Sequence, residues 1–434
     1  MPDRTLNGDG PSRASLDGDG AGNGPRASNA FIDGPRSLWG TMPPATGRVA
    51  GLRLAVKDIF DVRGMVTGAG SPTFAESHRP ATDHARSVAA LLGEGARFVG
   101  KTVSDELAFS LMGMNAHFPR PVNWAAPARV TGGSSSGSVA AVGAGEADLA
   151  LASDTGGSVR APASFCGLIG LRPTHGRIAL NGVVPLAHSF DTVGWFAADM
   201  AAYETIADIL LDAPTSCENG SSGLRARRCD TLEGMLGAEA SEEFERIARI
   251  ALDAMAASCM PLDLGEEPCA LYACFRVLQA SEAWEAHGAF VQANGARMNP
   301  DVRARFEYGR ALADCALGDA LRLRSAFTSW LADELGDDGV LVLPTVPGPA
   351  PLTNAEPETL GDYREKAIHL LCLAGLAGLP QLTLPLGEVD GAPFGLSLVG
   401  PRGSDRRLLR LGATVMEAAG AKQRIAVPSA VPAQ

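Results

Sequence analysis

Lys57, Ser134 and Ser158 are the residue types of a serine hydrolase whose base is an amine rather than an imidazole. A serine hydroxyl attacks a carbonyl carbon poorly until a neighbouring base takes its proton, and a lysine serves only if burial keeps part of it neutral at working pH. Both serines stand among glycines, in Gly132-Gly133-Ser134-Ser135-Ser136-Gly137-Ser138 and in Asp154-Thr155-Gly156-Gly157-Ser158-Val159-Arg160. Two glycines before a serine allow positive φ and let successive backbone N–H groups converge on one point, as an oxyanion requires. Losing one such donor typically costs about 2.7–4 kcal/mol of transition-state stabilisation. The residues therefore offer a nucleophile, a relay hydroxyl, a base and an anion-binding loop.

Something must hold them together. Lys57 ends the apolar run Leu52 to Val56, a strand that would carry it inward. Read alone, such a lysine more often reaches solvent or pairs with its neighbour Asp58; the serine segments downstream favour a buried base instead. Their Gly/Ser composition would also suit a flexible linker. Yet Val139 to Gly145 is small and apolar, fit for a tightly packed helix, and Asp148 to Ser153 reads as a buried strand. A tether does not lead into core.

Two rival motifs compete for the same residues. Gly133-Ser134-Ser135-Ser136-Gly137 fits the G-x-S-x-G nucleophile elbow, which would make Ser135 the nucleophile and require a histidine such as His175, His188, His287 or His369. The pattern is weak among 51 glycines, and Arg129-Val130-Thr131 is a poor strand to precede an elbow. Asp154-Thr155-Gly156 fits the D-[ST]-G loop of aspartic proteases, which needs a second copy. Asp191-Thr192-Val193-Gly194 lacks the glycine in the third place.

Around these segments the chain alternates strands with helices. Strands are expected at Leu52 to Val56, Arg97 to Val99, Asp148 to Ala152, Gly339 to Leu343 and Gln381 to Leu384, and helices at Ala85 to Gly93, Glu239 to Ala257 and Arg406 to Ala418. The class is α/β. A length of 434 residues exceeds the usual ~100–200 per domain, but a large α/β sheet can form one domain. Residues 1–30 are rich in Gly, Asp, Asn, Ser and Arg and read as a disordered leader without an apolar core or the acid-poor character of a transit peptide. Residues 213 to 224 read as a surface connection. A net charge of −12 speaks against nucleic acid as a partner, and no run approaches the ~18 apolar residues of a membrane span. The eight cysteines show no tight metal spacing, so free thiols in a reducing cytoplasm are expected, with Cys166 a buried structural residue.

From about residue 45 to residue 420 the chain resembles the amidase signature family. The likeness rests on Gly51 to Asp58, Gly100-Lys101-Thr102, Gly132 to Ser138, Asp154 through Cys166-Gly167 to Arg172-Pro173, Ser189 to Gly194, Leu343-Pro344-Thr345 and Pro393-Phe394-Gly395. It implies one large twisted mixed β-sheet covered by α-helices on both faces, a single domain over 31–434 and no cofactor or metal. It also implies Lys57 as base, Ser134 as a bridging serine in a cis peptide with Gly133, and Ser158 as nucleophile. Thr155, Gly156, Gly157 and Ser158 would supply the oxyanion N–H groups, with Asp154, Arg160 and Ser135 as supports. Ser136 stands where most of the family has glycine, and that triple serine, with Val56 to Val62, Gly113 to Phe118 and Ser189 to Phe196, is similar to the plant-type indole-3-acetamide amidase branch. The same branch includes a chloroplast import receptor whose amidase-like domain does not keep every catalytic residue; this chain keeps all three.

The implied activity is hydrolysis of a small primary amide to carboxylate and ammonia through an acyl-Ser158 intermediate, with indole-3-acetamide or a similar aryl-acetamide as the expected substrate. An aromatic-rich helical stretch, Leu271 to Asp314 with Trp284, His287, Phe290, Arg303, Arg305, Phe306 and Tyr308, is compatible with an aryl-acetamide pocket, although aromatics on a helix more often pack as core; His117 and Phe118 are further candidates to border the pocket. The alternatives are a glutamine-hydrolysing A subunit of a tRNA-dependent amidotransferase and a non-catalytic receptor or scaffold. Assembly as a homodimer is left open.

Overall fold

A computed structural model describes residues 28–32, 46–211, 215, 223–423 and 425. Its strands form two hydrogen-bonded ladders. In the first, β1 (Arg53–Lys57) runs parallel to β2 (Arg97–Thr102) on one side and to β3 (Leu149–Asp154) on the other, and β5 (Thr192–Ala197) pairs antiparallel with β3. Strands β3 and β5 are buried throughout, which is why their sequences run apolar instead of alternating. The second ladder orders β4 (Gly170–Arg172), β9 (Gln381–Val389), β10 (Ala392–Val399), β8 (Gly339–Pro344), β6 (Arg225–Arg228) and β7 (Ser258–Pro261). Its β9–β10 hairpin turns on Asp390-Gly391, both at positive φ, the turn chemistry that matches strand twist.

The single sheet implied by the family likeness is thus interrupted between β5 and β4. There the Tyr203 hydroxyl accepts from Leu171 N at 2.7 Å and donates to Trp195 O at 2.9 Å, bridging the two ladders where backbone pairing stops. Helices cover both faces. Along β9, Leu382 and Leu384 meet the helix Asp405–Ala418 at Gly412, while Thr383 between them points to the opposite side, where Ser164 of the helix Arg160–Cys166 accepts from Gly395 N at 2.8 Å.

Most of the expected leader lies outside the described residues. Its last three residues do not behave as a leader: Ser28 and Ala30 are buried, Val103 N donates to Ala30 O at 2.9 Å, and residues 30–32 cover the outer edge of β2. Of the connection at 213–224, residues 213, 214 and 216–222 lie outside the described residues. Among the described residues no helix is long and apolar enough to cross a membrane.

Because β1 and β3 are parallel neighbours, their C-terminal ends open at the same edge. That edge receives Lys57 from β1, Ser153 and Asp154 from β3, and the start of the helix Ser136–Gly143. Ligand sites in open α/β sheets form at such an edge.

Candidate active site

Lys57 is fully buried at the end of β1. Its Nζ lies 2.8 Å from Ser134 Oγ, 3.1 Å from Ser135 Oγ and 2.8 Å from Ser153 Oγ. An ammonium has three donors and no acceptor, so these hydroxyls satisfy the charged form completely; the neutral amine keeps two donors and gains a lone pair that can take the Ser134 proton. Burial pushes Lys57 down to about 7, against the pull of the Asp105, Asp154 and Asp191 carboxylates. The adjacent Asp58 does not pair with it. That carboxylate binds Lys101 at 2.7 Å in a separate buried ion pair.

Ser134 follows Gly133 through a cis peptide. Its carbonyl accepts from Asp105 N at 3.0 Å. A side chain at Gly133 would sit 2.2 Å from Asp105 Oδ2, so the close approach of that carboxylate requires glycine. Ser135, the rival elbow nucleophile, is fully buried, with its hydroxyl on Lys57 and 3.3 Å from Ser153 O. It supports the amine instead of facing a substrate.

Asp154 organises the loop after β3. Oδ1 accepts from Gly157 N at 3.0 Å, and Oδ2 from Val159 N at 3.1 Å and Arg160 N at 3.3 Å. Arg160 adds a bidentate pair, Nε to Oδ2 at 3.0 Å and Nη2 to Oδ1 at 2.7 Å, and Arg172 Nη1 reaches Oδ1 at 3.1 Å. Burial alone would raise the Asp154 carboxyl, but Arg160 and Arg172 outweigh it and hold it well below the usual carboxylate range. Asp154 and Arg160, expected as supports, contact each other and the backbone of residues 157–160.

One expected oxyanion donor is corrected. The Gly157 N–H donates to Asp154 Oδ1, whereas the N–H groups of Thr155, Gly156 and Ser158 donate to no acceptor among the described residues. Gly157 is still required: its φ is +118°, and a Cβ there would lie 2.5 Å from the Leu371 side chain. Thr155 is anchored by its own hydroxyl, which donates to Asp191 Oδ1 at 2.5 Å, and Asp191 Oδ2 accepts from Leu186 and Ala187 N. Asp191 is thus a brace for the loop and not a second protease aspartate.

Ser158 borders a cavity together with Thr155, Gly156, Ser110, Gln279 and Arg364. The Ser134 hydroxyl meets Lys57 and Ser158 borders this cavity; no hydrogen bond links the two serine hydroxyls among the described residues. The candidate aromatic lining is mostly absent from it and from the cavity beside it. Phe306 is fully buried, edge-on to Phe109 and His287; His287 bonds Pro185 O at 2.6 Å, and Phe290 packs on Phe74. Those rings, with Trp284, are helix-packing core. From that stretch Arg305 and Tyr308 do reach the adjoining cavity. His117 is turned to Glu106 at 2.9 Å, and neither it nor Phe118 borders the Ser158 cavity.

Sequence reasoning missed Ser153, Asp105 and Arg364. Ser153 carried a usable signal, a serine closing an otherwise apolar strand; Arg364, on the helix Pro357–Ala377, carried none.

The family described as Amidase matches residues 41–218 and 291–409. Amidase 1 of Oryza sativa subsp. japonica is 37% identical over 421 residues, covering 90% of this chain and 95% of that protein. Translocon at the outer membrane of chloroplasts 64 of Pisum sativum is 33% identical, covering 89% of this chain and 69% of its own length. A solved structure described as the crystal structure of amidase superposes with a TM-score of 0.76 at 32% identity, covering 86% of this chain and 85% of the other. The chain belongs to the amidase signature family.

Proposed function

We propose that this protein hydrolyses small primary amides to carboxylate and ammonia, with Ser158 as nucleophile, Ser134 as relay and Lys57 as base. The observation that carries the reading is the contact of a buried amine, pushed down to about 7, with the Ser134 hydroxyl, beside a loop whose Thr155, Gly156 and Ser158 N–H groups donate to no acceptor among the described residues. Lys57 takes the Ser134 proton while Ser134 takes that of Ser158, and Ser158 Oγ attacks the carbonyl carbon. The three N–H groups receive the oxyanion. Collapse returns the proton through the same relay to the departing nitrogen, releasing ammonia and leaving an acyl-Ser158 ester that water cleaves by the same path. Presence of all three residues supports catalysis over the receptor reading, and turnover by the purified chain without a partner separates this reading from an amidotransferase subunit. The cytoplasm belongs to the same proposal, supported by the seven described cysteines, which are free thiols; Cys217 lies outside the described residues.

An ester intermediate can be intercepted by a nucleophile better than water. Hydroxylamine added during turnover should therefore yield the hydroxamate of the substrate acid, detected by mass spectrometry, and a fluorophosphonate probe should label Ser158. Ammonia release with no hydroxamate at saturating hydroxylamine would favour direct attack by water.

Ser153 supplies a further prediction. Its hydroxyl is one of three acceptors for the Lys57 ammonium, so Ser153→Ala should disfavour the charged amine and move the acidic limb of kcat/KM to lower pH. A limb that moves to higher pH would refute the assigned role.

A further inference from the structure

Three cavities share Arg364 as a lining residue. Arg364 borders the Ser158 cavity, a second of about 140 Å³ lined also by Arg276, Gln279 and Arg305, and a third of about 310 Å³ lined also by Asp105 and Arg305. Its Nε is buried without a hydrogen-bond partner, and the side chain forms no ion pair among the described residues. Buried arginines elsewhere in the chain are used differently. Arg160 bonds through Nε, Nη1 and Nη2, and Arg172, whose Nε is also unpartnered, spends both Nη atoms.

Glu365 and Tyr272 act on Arg364 from nearby, but neither forms an ion pair with it among the described residues. Arg305 forms no ion pair among the described residues either, and its Nη1 donates to Phe109 O at 2.6 Å. Arg276 stacks on the Tyr308 ring at 4.5 Å. The Glu106 carboxylate is committed to Ser71, His117 and Asn299 N, and Asp105 Oδ2 to Gly113 N, while Asp105 Oδ1 is buried without a hydrogen-bond partner. Burial, and then the Arg305 charge, push Arg364 down to about 10. The 140 Å³ cavity is thus lined by Arg276, Arg305 and Arg364 with no carboxylate among its lining residues, the electrostatic setting of a site that receives an anion. Asp301 and Asp105, which act on Arg305, border the third cavity instead.

We infer that the amide substrate carries a carboxylate seated on Arg364, with Arg305 beside it, so that the substrate is the monoamide of a short dicarboxylic acid. The inference rests on the amidase reading above and specifies its acyl group. A guanidinium binds a carboxylate through two parallel N–H bonds, fixing distance and orientation together. With the carboxylate anchored there, the amide end extends along the shared cavity to Ser158. A neutral aryl group in the same place would leave the guanidinium without a counter-charge.

The test compares malonamate, succinamate, glutaramate and glutamine with butyramide and phenylacetamide, which lack the carboxylate. The best carboxylate amide should exceed butyramide in kcat/KM by about 10- to 100-fold, the ordinary yield of a charge-assisted bond. That ratio should fall towards one in Arg364→Met and partly in Arg364→Lys, which keeps the charge but loses the fork. Equal or higher kcat/KM for butyramide or phenylacetamide in the unmodified protein, or a ratio that survives Arg364→Met, overturns the inference. If no amide is turned over, the amidase reading fails, and calorimetric titration with succinate and glutarate decides this one separately. Binding weakened about tenfold or more by Arg364→Met upholds it, and no binding overturns it.

Discussion

Ser158→Ala is expected to abolish amide turnover, lowering kcat by about 10⁴-fold or more, because the covalent route disappears and only binding and the oxyanion donors remain. The fold should not notice. Ser158 is a small residue bordering a cavity, and the backbone N–H that serves the anion survives the substitution, so stability should change by less than about 1 kcal/mol. Ammonia release and thermal melting, measured together, separate the two effects. Ser135→Ala is the matched control: its hydroxyl touches Lys57 but does not border the cavity, so it should impair turnover through the amine and leave Ser158 labelling by a fluorophosphonate intact. Retention of more than about a tenth of kcat in Ser158→Ala, set against that 10⁴-fold expectation, would remove it as the nucleophile.

Local context marked Lys57, Ser134 and Ser158 as candidates. A lysine closing an apolar strand and serines set among glycines are unusual enough in type and order to announce a buried base and a nucleophile, and Lys57 does touch Ser134. Ser153 was less legible because its role depends on strand register. Only the pairing of Leu54 with Leu149 and Val56 with Leu151 brings the end of β3 to the lysine. Gly157 illustrates another limit: a glycine pair shows that the loop can turn, not where each N–H points, and Asp154 captures one of them. The aromatic residues left core and pocket both open for a related reason. Phe306 and His287 are helical residues whose facing partners come from elsewhere in the fold, and helix packing claimed them before any ligand could. Arg364 lies on a helix far along the chain, where an arginine ordinarily signals solvent; its place among three cavities is a tertiary fact. The alternation of strands and helices was readable, whereas the break between the two ladders depends on one phenol, Tyr203, reaching two strands at once.

Lys57→Ala is expected to halt the chemical step, and the pH dependence of the unmodified protein should identify the reason. The active form of the base is the neutral amine. With Lys57 near 7, kcat/KM should rise about tenfold per pH unit below that point and level off above it, so activity is present on the alkaline side and lost as the pH falls. A histidine base would give a limb in the same region, since its ordinary value is about 6.5; the position of the limb alone does not discriminate. Substitutions do. His175 Nε2 is bonded to His188 O, and His188 is largely exposed beside Glu282, so His175→Ala and His188→Ala should keep most of the activity and the same acidic limb. Lys57→Arg should be as inactive as Lys57→Ala, because a guanidinium stays protonated throughout the accessible range. Asp105→Asn should move the limb to lower pH, since the carboxylate that favours the ammonium is gone. Full activity in Lys57→Ala, or a limb that follows His175, would assign the base to another residue.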